Sequence, residues 1–177
     1  EGFRIPVITK DGYEADDIIG TIALRDGSPD CQVYMMTPDK DFGQLVNENV
    51  FIFKPARMGN DYEIMGVEEV KKKWEIEHIH QVIDILAIWG DAVDNIPGIP
   101  GIGEKTAQKL IAEFGSVENL IANADKLKGK QKENVVNFAQ QGLLSKELAT
   151  ILCEVPIEFH EESLRISEVN KEVLSPL

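Results

Sequence analysis

Seven carboxylates fall in three short clusters: Glu14-Ala15-Asp16-Asp17, Asp39-Lys40-Asp41 and Asp91-Ala92-Val93-Asp94. Each lies beside strongly apolar sequence, where acid is destabilising unless positive charge neutralises it. No Lys or Arg pattern matches all seven, so divalent cations are the simplest counter-charge. Oxygen-only donors select Mg²⁺ or Mn²⁺ over zinc, and a pair of such ions is suited to phosphoryl transfer. Taken singly, the clusters have plainer readings. Acids at 14–17 can complement the dipole of a first helical turn, and Asp91 or Asp94 can cap the segment that follows. An EF-hand is excluded: counting from Asp91, the third and fifth positions are Val93 and Asn95, and no Gly follows at the sixth.

The elements that must position these acids alternate in the first half. Ile5-Pro6-Val7-Ile8-Thr9 reads as a strand, 14–24 as a helix with an Ile18, Ile19, Ile22, Ala23 stripe, and 33–37 as a second strand. A short helix over 42–46 and a third strand over 50–53 follow. This β-α-β-α-β order predicts a parallel sheet with helices on its faces. Ligands gather at the carboxyl ends of such strands, and the first two clusters sit after the first and second strands. From residue 67 to about 153 the pattern is helical only: 67–74, 79–89, 104–114, 116–123, about 130–140 and 143–152. A Gly/Pro-rich hinge over 90–103 and a composition shift near Trp89 predict two units, 1–89 and 90–177.

Composition narrows the class. The chain has 177 residues, 43% of them hydrophobic, as expected of a folded globular protein. It has no apolar run of membrane-spanning length, so no membrane partner is expected. It begins Glu1-Gly2-Phe3 without Met and ends Ser175-Pro176-Leu177 on a helix-like segment, which suggests a piece of a longer polypeptide. Cys31 and Cys153 are too far apart for a C-x-x-C site and read as buried thiols of a reducing cytoplasm. His78, His80 and His160 have no metal-ligand spacing. The net charge is −13, yet the six lysines between 103 and 132 against four acids make that stretch +2 and leave −15 elsewhere. A basic helical part beside an acidic part suits phosphate gripped in one place and metal in another, although solvated helix faces would read the same way.

Gly98-Ile99-Pro100-Gly101-Ile102-Gly103 precedes Glu104-Lys105-Thr106. It fails as a Walker A loop because Glu104 separates the last Gly from Lys105-Thr106, and as a dinucleotide fingerprint because Thr106 holds the third Gly position. A glycine turn into a helix N-terminus remains, and its free N–H groups can hold a phosphate without reading a base.

Here the residues carry a resemblance. Gly101-Ile102-Gly103-x-x-x-Ala107-x-x-Leu110-Ile111 resembles a helix-hairpin-helix motif. With Gly90-Asp91-x-x-Asp94-Asn95-Ile96-Pro97-Gly98 before it, the stretch resembles the helix-three-turn-helix of the 5′ nucleases, or flap endonuclease family. Glu14-Ala15-Asp16-Asp17-Ile18-Ile19-Gly20 and Thr37-Pro38-Asp39-Lys40-Asp41 are similar to that family's other acidic motifs, in order. Leu144-Ser145-Lys146-Glu147-Leu148-Ala149-Thr150 resembles a later stretch, and the likeness is strongest to the 5′–3′ exonuclease domains of bacterial DNA polymerase I. Pro38 stands where the family usually has Gly. The family's N-terminal part, with a first strand, two further Asp and a basic helical arch, has no counterpart here.

The resemblance implies a partial parallel-sheet, PIN-like α/β core followed by an all-α helix-three-turn-helix subdomain. It also implies a two-metal hydrolase that removes 5′ flaps and RNA primers in DNA replication and repair. Glu14 and Asp16 would bind one Mg²⁺ or Mn²⁺, and Asp39, Asp41, Asp91 and Asp94 the other, with Asp17 acting at or behind the site. Gly98, Gly101, Gly103, Lys105, Thr106 and Lys109 would hold flap or nicked duplex DNA, with a K⁺ ion at the turn. The remaining partner would be the rest of a parent polymerase chain, in a bacterial cytoplasm at the nucleoid. On this reading the chain alone is expected to be inactive. The competing readings are a non-catalytic duplex-binding module and a toxin-type ribonuclease, and the turn argues against the second.

Overall fold

The computed structural model describes residues 2–55, 61–158 and 160–174; Glu1 and the closing residues 175–177, on which the terminal expectations rest, lie outside it. Among the described residues three strands form one sheet in the order β1 (Val33–Met36), β2 (Val50–Pro55), β3 (Tyr62–Met65). β1 and β2 are parallel, with Met35 beside Ile52, as the alternating pattern predicts. β3 departs from that pattern. It turns back antiparallel to β2, placing Met65 opposite Ile52, so the sheet is mixed. Ile5-Pro6-Val7-Ile8-Thr9 is not a strand. Pro6 removes a donor, no strand edge among the described residues pairs with the segment, and Ile5 and Val7 stay 72% and 85% exposed.

Helix α1 (Ala15–Asp26) crosses the sheet with Ile18 and Ala23 inward, acids in its first turn and Arg25 in its last, the polarity its dipole favours. Gly20 lies where α1 meets residues 151–153. A Cβ there would stand 3.0 Å from Ile151 Cγ2 and 3.1 Å from Cys153 Sγ. A 3₁₀ turn, Asp41–Leu45, follows β1 and buries Phe42 and Leu45.

Helix α2 (Val67–Trp74) buries Val70 and Trp74. Helix α3 (Gln81–Trp89) is the hub of the molecule, packing against the 3₁₀ turn on one side and helices α4 (Glu104–Phe114), α5 (Val117–Ala122) and α7 (Ala139–Ala149) on the others. Its two buried polar side chains are satisfied. Gln81 accepts from the Glu77 and His78 N–H groups, and Asp84 accepts from the Val117 N–H (3.0 Å) and pairs with Lys146 Nζ (2.7 Å). Helix α6 (Gly129–Asn137) and the short α8 (Lys171–Leu174) complete the helical part. One continuous core runs from Ala23 to Ile151.

Residues 149–155 leave α7 as a strap along α1. Gln44 brackets the strap, donating to the Ala149 carbonyl and accepting from the Ile151 N–H, both at 2.9 Å. Further on, the Leu152 N–H donates to Asp17 Oδ1 (2.9 Å) and the Val155 N–H to Thr21 Oγ1 (3.0 Å). The strap thus fixes α1 against the 3₁₀ turn, the two elements that carry the first two acidic clusters. Both cysteines are free and half-buried rather than buried: Cys31 closes a turn bridge with Ser28 before β1, and Cys153 sits on the strap. Among the described residues no helix is long and apolar enough to cross a membrane.

Candidate metal centre and its flanking turn

All three acidic clusters converge. A cleft of about 460 Å³ is lined by Glu14, Asp16, Asp17, Asp39, Asp41 and Asp94, with Asn95, Ile96 and residues 148–151 as its far wall. Asp91, the seventh acid, stands behind that surface, and its carboxylate meets those of Asp41 and Asp94. One oxygen from each of these three lies within 4.8 Å of the others, Asp41 being buried, Asp91 half-buried and Asp94 exposed.

Local hydrogen bonds sort the acids. Asp39 Oδ1 accepts from the Asp41 N–H (3.0 Å), which turns the Asp41 side chain inward at the start of the 3₁₀ turn. Asp17 spends one oxygen on the Glu14 N–H (3.2 Å) and the other on the strap at Leu152. It therefore holds the wall of the cleft rather than offering free ligand atoms. Asp91 Oδ1 accepts from the Val93 N–H (2.8 Å), and the Asp91 and Ile96 backbones bond reciprocally. This closed loop presents Asp94, and Asn95 inside it takes φ 56°, a left-handed conformation that Asn tolerates well. The loop is pinched shut by two glycines at positive φ. A Cβ on Gly98 would come within 2.7 Å of the Gly90 nitrogen and the Trp89 carbonyl, so only Gly fits.

Among the described residues, the ion pairs made by the seven acids all go to Lys40. Its ammonium hydrogen-bonds Asp91 Oδ2, lies 3.4 Å from Asp41 Oδ1, and sits 5.5 Å from the centre of the Trp89 ring. One cation against this many acids leaves the cluster strained electrostatically. Burial, reinforced by the charges of Asp39 and Asp91 and only partly offset by Lys40, pushes the Asp41 carboxyl up to about 6. Burial also raises Asp16, aided by the charges of Asp17 and Asp39 against opposing backbone hydrogen bonds. Asp91 moves the other way, because the Lys40 hydrogen bond outweighs its burial. Lys40 is pulled down by burial but held above its ordinary value by Asp91 and Asp41. Asp41 Oδ1 is buried and accepts no hydrogen bond. Three converging carboxylates, one with a buried oxygen that has an ion pair to Lys40 but no hydrogen bond among the described residues, and an all-oxygen donor set fit a hard divalent cation. Burial and the neighbouring Asp17 and Asp16 charges raise the Cys153 thiol, so it is not a poised nucleophile.

The glycine turn flanks this centre. Gly98 is buried beneath it, its N–H donating to Ser145 Oγ (3.1 Å) and its carbonyl accepting from Gln141 Nε2 (2.7 Å). Gly101 (φ 80°) and Gly103 are exposed, and Gly103 caps α4. The N–H groups of Gly103, Glu104 and Lys105 have no partner among the described residues and open to solvent. Lys109 is exposed and Thr106 half-buried. Lys105 Nζ is shared between Glu75 (3.1 Å) and Gln108 (3.0 Å). Asn134 Nδ2 donates to the Pro100 carbonyl (2.7 Å), which brings the lysine-bearing α6 alongside. The spacing of the motifs located every acid. It did not reveal the strap, the 148–151 wall or the part played by Lys40, although Lys40 stands inside a motif.

The chain is 40% identical over 174 residues to DNA polymerase I of Caldicellulosiruptor bescii, covering 97% of this chain and 20% of that protein. It is 39% identical over 169 residues to a 5'-3' exonuclease of Aquifex aeolicus, covering 94% of this chain and 56% of that one. A solved structure of the bacteriophage T5 flap endonuclease, a pseudo-enzyme-product complex with DNA and metal ions, superposes with a TM-score of 0.71. Its sequence identity is 26%, and the match covers 83% of this chain and 53% of that one. The chain thus spans about a fifth of the polymerase relative. Residues 1–75 match the family described as 5'-3' exonuclease, N-terminal resolvase-like domain, and residues 78–172 match 5'-3' exonuclease, C-terminal SAM fold. The chain therefore belongs to the 5'-3' exonuclease family.

Proposed function

We propose that this chain is the metal-holding and duplex-gripping part of a 5′–3′ exonuclease and flap endonuclease that hydrolyses DNA, or RNA-primer, phosphodiesters. One observation carries the reading. Acids from three separate elements meet in one cleft, and Asp41, Asp91 and Asp94 bring ligand oxygens within 4.8 Å of one another. Asp41 and Asp94 would hold a Mg²⁺ or Mn²⁺ ion with Asp91, while Glu14 and Asp16, which line the same cleft, would serve a second ion. Bound ions of this kind activate water and stabilise charge on the leaving oxygen. The chain's own residues supply the frame for that chemistry. Asp39 orients Asp41 through its N–H, Asp17 clamps the strap that walls the cleft, and the closed 91–96 loop presents Asp94.

Residues 1–89, together with Asp91 and Asp94 from the loop that follows, would carry the chemistry, and the rest of 90–177 the grip on DNA. The unpartnered N–H groups at 103–105 with Lys109 suit phosphate oxygens and are blind to base identity. Gly98 would support the turn from beneath rather than touch DNA. A K⁺ ion fits the turn less well, since the Gly98 and Pro100 carbonyls already accept from Gln141 and Asn134. Such a substrate would place the protein in the cytoplasm at the nucleoid, with the rest of a polymerase chain as its partner.

The test is a labelled 5′-flap duplex incubated with Mg²⁺ and with the parent enzyme carrying this segment, wild type or Asp94→Ala. Cleavage lost in the variant with flap binding retained supports the reading. Undiminished cleavage would remove Asp94 from the site. Flap binding without cleavage in the wild type would favour a non-catalytic duplex-binding module.

A further inference from the structure

Lys40 occupies an unusual place. It stands between two acids of one motif and caps the 3₁₀ turn that carries Asp41. Its ammonium is directed at the acids: it hydrogen-bonds Asp91 Oδ2 and lies 3.4 Å from Asp41 Oδ1. These are two of the three residues whose oxygens converge. Asp94, the third, is exposed and makes no ion pair among the described residues.

The positions are exclusive for an ion that uses the oxygens Lys40 now contacts. An ion of Mg²⁺ size sits about 2.0–2.1 Å from its ligand oxygens. An ion taking Asp91 Oδ2 and Asp41 Oδ1 would overlap the ammonium that now contacts both. Two cations cannot share that space, and their repulsion at such separations is large. We propose that Lys40 is a resident counter-cation: it holds Asp41 and Asp91 together in the metal-free protein and is expelled when the divalent ion enters. Lys40 is then a positioning residue that keeps the acids gathered without metal and lowers the affinity for metal, because each ion must first displace it. This rests on the metal reading of the cleft.

Trp89 makes the exchange visible. The ammonium lies 5.5 Å from the centre of its ring, and leaving the acids removes that cation–π contact, which alters the indole environment. The other tryptophan, Trp74, is buried in the core at 4% exposure.

The test uses Lys40→Met, which keeps an unbranched stem along Trp89 and removes the charge, and Lys40→Arg, which keeps the charge. Mn²⁺ affinity is measured by titration calorimetry and tryptophan emission during Mg²⁺ titration, with Trp89→Phe to assign the signal. Lys40→Met is expected to bind Mn²⁺ about tenfold more tightly, a free-energy change of the size of one partly buried ion pair. It should also melt at a lower temperature without metal and show no Mg²⁺-dependent emission change. Wild type and Lys40→Arg should both show that change. Equal or weaker Mn²⁺ binding by Lys40→Met would overturn the exchange while leaving the metal reading intact. Absence of Mn²⁺ binding by wild type and Lys40→Met alike would overturn both. Should Lys40→Met not fold, Lys40→Gln serves the same comparison with the same outcomes.

Discussion

Replacing Asp41 by Asn should stabilise the metal-free protein, although it alters a buried residue of the candidate centre. Burial, with the charge of Asp39 only partly offset by Lys40, pushes the Asp41 carboxyl up to about 6 in the folded chain from its ordinary 3.8. At about 1.4 kcal/mol per unit the shift amounts to roughly 3 kcal/mol. Solvent reaches part of the carboxylate and Lys40 already offsets some repulsion, so about half of that, ~1–1.5 kcal/mol, is the expected gain. The sign follows from proton linkage. A raised folded value means that the native state binds the proton more tightly, so the penalty is absent below about pH 4. It grows as pH rises from about 4 to 6 and is then constant. In EDTA, Asp41→Asn should therefore match wild type near pH 4 and exceed it at pH 7.5 by about 3–5 °C in melting temperature, scaling from roughly 2–4 °C per kcal/mol for a chain of this size. Millimolar Mn²⁺ should reverse the order. Wild type gains about 2.7 kcal/mol when the ion is a hundredfold above its dissociation constant, and the variant has lost a ligand. Thermal melts across pH 4–8, with and without Mn²⁺, decide it. An Asn variant less stable than wild type at pH 7.5 in EDTA, or a difference that does not change with pH, would refute the argument.

Two further substitutions probe the frame around the site. Lys146→Met leaves Asp84 buried at 1% exposure without its cation, and should lower stability by about 3–5 kcal/mol in urea unfolding; a loss under 1 kcal/mol would show that the Val117 N–H alone satisfies Asp84. Gly98→Ala combines φ 62° with a Cβ within 2.7 Å of the Trp89 carbonyl. It should prevent stable folding or disorder the acidic loop, and a native-like melt with wild-type Mn²⁺ response would contradict the pinched-loop geometry.

The acids were legible because their clusters are local in sequence and their residue types leave few alternative chemistries. The long helices were legible too: 67–74 and 104–114 carry unambiguous 3.6-residue patterns and the observed elements coincide with them. Pairing was harder to read. Ile5-Pro6-Val7-Ile8-Thr9 has the composition of a strand, but a strand exists only where an edge accepts it. Tyr62–Met65 exposes three of its four residues and buries only Met65, too weak a pattern to mark an antiparallel edge strand. The strap was invisible because it depends on side chains bonding backbone more than 100 residues away, Gln44 to Ile151 and Asp17 to Leu152. Lys40 lay in plain sight within its motif. Its role depends on Asp91 arriving from a loop 51 residues later, which no local pattern announces.

Acids from three separate elements are proposed to form one divalent-cation site. Calorimetric titration of Mn²⁺ into the 177-residue chain, repeated with the Asp41→Ala, Asp94→Ala double variant, measures it directly. Saturable binding by wild type, competed by Mg²⁺ and lost in the double variant, is the predicted result. Unchanged binding in the double variant, or none in wild type, would contradict it.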